Sequence, residues 1–170
     1  MSTRKMNPRH APSGQGRAHS RGFTLIELML VVVLAGVMLG IGIPSFRDFI
    51  ASQRVKTAAG EYASALVEAR SEAIKRNTNV TVTAVAAGAS GWQSGWTVAA
   101  GATTLSTQLA YPSALEFCGP TSPVTYLGSG RLSASADAMK IKGQDGSIRR
   151  VAIDLSGMPN STKIDTWSCP

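Results

Sequence analysis

The chain has 170 residues, 44% of them hydrophobic, enough for one folded domain with a short appendage and too few for a second domain. Its two histidines, His10 and His19, and two cysteines, Cys118 and Cys169, are too few and too scattered for a zinc site. A formal charge of +7 would suit nucleic acid, but Arg4, Lys5, Arg9, Arg17 and Arg21 supply +5 of it before Phe23, and the rest of the chain carries only +2.

Residues 1–22 combine those five cations with Pro8, Pro12, Gly14 and Gly16 and contain no acid, a composition too polar and broken to pack a core. Residues 23–43, FTLIELMLVVVLAGVMLGIGI, follow as 21 positions with a single charge, Glu27. At about 1.5 Å per residue such a helix matches the roughly 30 Å hydrocarbon core of a bilayer. The basic leader on one side and the compensating Arg47/Asp48 pair on the other place the N-terminus in the cytoplasm and the remainder outside. A cleaved secretory signal fits less well, because the uninterrupted apolar run from Leu28 to Ile43 is 16 residues long and Pro44-Ser45-Phe46 offers no small-residue cleavage site. A carboxylate in such a segment costs about 2–3 kcal/mol and implies a partner.

The run Arg21-Gly22-Phe23-Thr24-Leu25-Ile26-Glu27-Leu28 resembles the prepilin motif of type IV pilins and type II secretion pseudopilins. The resemblance implies that a prepilin peptidase cuts between Gly22 and Phe23, leaving 148 residues, and N-methylates Phe23. Glu27 lies one helical turn from the new terminal amine. In a filament of staggered helices it can neutralise the amine of a neighbouring subunit, since burying either charge alone would be costly. Gly36, Gly40, Gly42 and Pro44 weaken the helix, and related pilins bend there.

Beyond Pro44 the helix resumes. Ala58, Tyr62, Ala65, Leu66, Ala69 and Ala73 recur at three- and four-residue spacing, while Glu61, Glu68, Arg70, Glu72, Lys75 and Arg76 fall mostly off that stripe. This predicts an amphipathic helix laid on a sheet and ending near Asn77. Strands are predicted near residues 80–85, 92–99, 104–110, 124–127, 138–142 and 148–155, with Gln144-Asp145-Gly146 as a hairpin turn between the last two. The fold class is therefore α+β and pilin-like: a long N-terminal helix packed on antiparallel sheet. The divisions are a cleaved leader (1–22), a transmembrane and assembly helix (23–43) and a periplasmic domain (44–170).

Within that family, Arg-Ser-Glu-Ala-Ile-Lys-Arg-Asn at 70–77 and Gly-Trp-Gln-Ser-Gly-Trp at 91–96 resemble the FimT/GspH branch, which includes minor pilins and a minor pseudopilin of type II secretion. Trp92 and Trp96 read as sheet core ahead of a ligand-stacking pair. In an oxidising periplasm Cys118 and Cys169 are expected to form a disulfide, closing a loop of about 50 residues for roughly 4 kcal/mol.

An enzyme is not expected. Both histidines precede Phe23, so nothing after the cleavage site could complete a Ser-His-Asp or Cys-His system, and no cofactor motif is present. The partners implied are prepilin peptidase, other pilins or pseudopilins, and the inner membrane. Some FimT-like pilins bind DNA through Gly-Arg-x-Arg near the C-terminus, where this chain reads Gly157-Met158-Pro159-Asn160. Lys140, Lys142, Arg149, Arg150 and Lys163 remain as phosphate-contacting candidates, but Asp145 and Asp154 reduce the stretch to +3, so DNA uptake is kept as the alternative to a structural role.

Overall fold

The computed structural model describes residues 22–169, so the leader before Gly22 lies outside the described residues. The chain divides into two units, the first ending at Gly40 and the second beginning at Ile41. One helix, α1 (Leu25–Arg76), contributes to both.

In the first unit α1 starts with Thr24 as its N-cap. The Glu27 amide donates to the Thr24 hydroxyl at 3.3 Å and the Leu28 amide donates to the Thr24 carbonyl at 3.1 Å, so two of the donors left orphaned at a helix start find acceptors. Leu25 to Leu39 presents apolar side chains on every side, all exposed, with a mean hydropathy of 2.6 over the most apolar window of the helix. A helix apolar all round needs a nonaqueous environment or a packed assembly.

In the second unit the periodic stripe becomes the core face. Val55, Ala58, Ala59, Tyr62, Ala65, Leu66, Ala69 and Ala73 are buried. Five of these are alanines, which permit the close approach of strands that larger side chains would prevent. Asn77 ends the helix at φ 48°, and the Thr78 amide donates to the Ala73 carbonyl at 3.2 Å, a left-handed cap that satisfies a terminal acceptor.

Eight antiparallel strands follow: β1 (Val80–Ala84), β2 (Trp96–Ala100), β3 (Thr103–Gln108), β4 (Leu115–Cys118), β5 (Val124–Tyr126), β6 (Met139–Gly143), β7 (Ile148–Ile153) and β8 (Pro159–Ile164). They form two four-stranded sheets, ordered β3-β2-β1-β5 and β4-β6-β7-β8. Val80, Val82, Val98, Val124 and Tyr126 come from the first sheet and Phe117, Met139, Ile141 and Val151 from the second, and they share one hydrophobic core with the helix stripe. Trp92 and Trp96 belong to it as well, 1% and 2% exposed, with Tyr62 edge-on to both rings. The Trp92 indole N–H donates to the Pro120 carbonyl at 2.8 Å. Both tryptophans are therefore structural.

The strand expected over 92–99 begins only at Trp96. Gly91–Ser94 is a 3-10 turn, and Gly95 follows at φ 96° with its α-carbon so close to β3 that a Cβ would lie 2.1 Å from the Gln108 carbonyl oxygen. Only glycine supplies that conformation and that clearance. Two strands were not anticipated. β4 alternates buried Leu115 and Phe117 with exposed Glu116 but is only four residues long, too short a run to stand out, and β8 is an edge strand whose Asn160, Ser161, Thr162 and Lys163 are all exposed, so it carries no alternating apolar signal.

Candidate functional site

The residues singled out by sequence lie in three places. Gly22, Phe23 and Glu27 sit at the start of the apolar helix, where Phe23 is 75% exposed and Glu27 is exposed without an ion pair among the described residues. Thr24-Leu25-Ile26-Glu27 also has the spacing of a capping box, so the same short run begins the helix and positions the carboxylate in its first turn, where the helix dipole favours an anion.

The five candidate cations lie on β6, β7 and β8, where the register divides them. Directly opposed residues share a sheet face and successive ones alternate. Lys140 opposes Arg150, whereas Arg149 opposes both Ile141 and Lys163. Ile141 is in the core, so Arg149 and Lys163 belong to the face that turns toward α1 and the other three to the opposite face. The sequence does not produce one continuous patch.

On the outer face two of the three cations, Lys140 and Lys142, are already engaged. Lys142 pairs with Glu116 of β4 at 3.3 Å and stands 5.6 Å from the centroid of the Trp167 ring. Lys140 donates to the Ser168 carbonyl at 2.6 Å and to its hydroxyl at 2.8 Å. Cys169 is joined to Cys118, with a Cα separation of 5.7 Å. Since β8 and β4 are the two edges of this sheet, the tail runs from one edge across β6 to the other, a strap closed by the disulfide.

The third place is the β7–β8 turn, where the Gly157 sequence departs from the Gly-Arg-x-Arg pattern. Asp154 organises it: one carboxylate oxygen accepts from the Ser156 amide at 2.9 Å, from the Ser156 hydroxyl and from the Met158 amide at 3.3 Å. These bonds, the Ser156 hydroxyl first, hold the Asp154 carboxyl below its usual range. An arginine does reach this turn, but from the helix. Arg70 donates Nε–H to the Gly130 carbonyl and a terminal nitrogen to the Met158 sulfur, at 2.9 and 3.0 Å.

The tyrosines link helix to sheets. Tyr111 donates to Glu61, and burial followed by that bond pushes its phenol up. Tyr126 donates to the Gly157 carbonyl at 3.1 Å, and burial pushes its phenol up to about 12. Tyr62, wholly enclosed, is raised by burial first. No cluster of His, Cys, Asp or Glu that could hold a metal ion occurs among the described residues.

Comparison with known families matches this architecture. The model of the family described as type II transport protein GspH aligns with residues 58–157, 100 of the chain's 170 residues. The chain belongs to the GspH family. The prokaryotic N-terminal methylation motif aligns with residues 17–43, covering Gly22, Phe23 and Glu27. Two crystal structures of the type IV minor pilin FimU of Pseudomonas aeruginosa share the fold, with TM-scores of 0.53 and 0.54 at 21% and 22% identity. They align with 63% and 66% of this GspH-family chain and with 91% and 90% of their own. A fimbrial protein of Pseudomonas aeruginosa is 41% identical over 64 residues, 38% of this chain. The type IV major alpha-pilin of Moraxella bovis is 39% identical over 44 residues, 26% of this chain. The GspH-family chain thus spans 41% and 28% of the length of these two relatives. It combines the GspH family domain and the N-terminal methylation motif with the fold of the minor pilin FimU.

Proposed function

We propose that this protein is a non-enzymatic filament subunit, a minor pilin or pseudopilin of a type IV pilus or a type II secretion machine. In this reading prepilin peptidase removes residues 1–22 and methylates Phe23, residues 23–43 hold the chain in the inner membrane, and residues 44–170 fold in the periplasm before assembly. The observation that carries the reading is the conjunction of the methylation motif over 17–43 with an apolar helix whose side chains are exposed from Leu25 to Leu39. A helix apolar on all sides has to be covered by lipid or by other helices, and a pilin of this kind would use each in turn.

Glu27 supports the assembly step. As the lone carboxylate of the apolar segment 23–43 it would form a charge pair with the terminal amine of a neighbouring subunit. DNA receptor activity is the less favoured reading, because the register sends the candidate cations to two faces and the strap already occupies Lys140 and Lys142.

Intact-mass measurement of the protein extracted from membranes tests the proposal. The expected species begins at Phe23 and carries one added methyl group, whereas a chain that still begins before Gly22 overturns the prepilin assignment.

A further inference from the structure

A cleft of about 510 Å³ opens between the α1 segment around Val55, the β6–β7 hairpin tip and the end of β8. Its walls bring together three cations far apart in sequence: Lys56 from α1, Arg149 from β7 and Lys163 from β8. The hairpin is held against the helix here by close packing, since a Cβ on Gly143 would come within 2.8 Å of a Val55 methyl. None of the three cations forms an ion pair among the described residues.

Two acids, Asp145 and Asp165, also line the cleft, leaving it a net charge of +1. Asp145 is partly committed, because one carboxylate oxygen accepts from the Ser147 hydroxyl at 2.8 Å and from the Ser147 amide at 3.3 Å. Three unpaired cations interleaved with acids are a poor match for a polyanion, which needs uninterrupted positive charge and would meet both aspartates. They suit a protein segment that presents a few separated carboxylates to matching cations.

We infer that this cleft receives an acidic segment of an adjoining filament subunit, with Lys56, Arg149 and Lys163 as its charge partners. The inference rests on the filament reading proposed above, because only a subunit held beside its neighbours would meet such a segment repeatedly. Arg149 and Lys163 oppose each other across β7 and β8, on a face separate from Lys140 and Arg150, so both are offered to the cleft.

The test uses the full chain in its own cells, with Gln53, an exposed cleft residue, replaced by a photocrosslinking amino acid. A second strain carries the same group at Leu28 in the apolar helix. Irradiation of the Gln53 strain is expected to give an adduct with another pilin-like subunit, mapped by mass spectrometry to a peptide containing two or more Asp or Glu. Lys56→Glu and Arg149→Glu should each reduce the adduct about tenfold, and reversing acids to Lys in the mapped peptide should restore it. Lys163→Glu, on an exposed edge strand, repeats the test with little risk to folding. Crosslinking to a peptide without acids, to nucleic acid or to lipid, or a yield indifferent to charge reversal, overturns the cleft assignment. So does loss of the Gln53 adduct while the Leu28 adduct persists, which leaves the filament reading standing. Loss of both overturns the two together.

Discussion

Arg70, in the last third of α1, donates its Nε–H to the carbonyl of Gly130 at 2.9 Å, fastening the helix to a loop 60 positions further along the chain. Gly130 and Gly157 both have positive φ, 77° and 85°, and a Cβ on Gly157 would lie 2.5 Å from the same Gly130 carbonyl oxygen. The guanidinium therefore joins two tight turns that themselves touch. Arg70→Ala should destabilise the folded domain by about 1–3 kcal/mol by stranding the Gly130 acceptor, and Gly157→Ala by about 2–4 kcal/mol through strain and overlap. Urea denaturation of the purified protein measures both, and values below about 0.5 kcal/mol would show that the junction does not hold the fold.

Glu27→Ala is expected to leave membrane insertion intact, because removing a charge makes transfer into the bilayer more favourable. Assembly should slow or stop. Crosslinking from Leu28 to filament neighbours reports on this, and an unchanged yield in the variant would remove Glu27 from any pairing role.

All three tyrosines, Tyr62, Tyr111 and Tyr126, have raised phenol pKa values, each through burial first. A phenol raised in the folded state adds stability that is fully present below the unfolded value near 10 and is lost as the pH climbs toward the folded value. Absorbance titration at the phenolate band should therefore show almost no tyrosinate at pH 10 in the folded protein. Tyr126 should be half ionised at about 12. A full phenolate signal near pH 10 without unfolding would contradict the enclosure of these side chains.

The disulfide closes a separation of 51 residues, for which the chain-entropy relation gives about 4 kcal/mol. Cys118→Ser with Cys169→Ser should cost about that much in thermal or urea unfolding. Non-reducing peptide mapping should recover Cys118 linked to Cys169, and quantitative alkylation of both thiols without reductant would refute the link.

Much of this architecture could be read along the chain. The stripe from Ala58 to Ala73 located the core face of the helix because one face of a 3.6-residue period meets the sheets, and every residue named in it is buried. Asp145-Gly146 located the β6–β7 turn, where Gly146 has φ 79°. β8 was hidden because an exposed edge strand has no need of apolar residues. The candidate site was less legible. Arg149 and Arg150 look like one patch in sequence, yet strand alternation alone sends neighbours to opposite faces. Lys56 lies 93 positions before Arg149, and only the seating of the hairpin on Val55 makes them neighbours.

The strap over the second sheet also reports on the sheet beneath it. Cys118 ends β4 at one edge, while Cys169 follows β8 at the other, so in the folded domain the bond joins segments that β6 and β7 separate. The residues after β8 therefore act as a latch across the finished sheet. A domain whose β8 had not docked would hold Cys169 away from Cys118, so the state of these two thiols reports whether the sheet is complete.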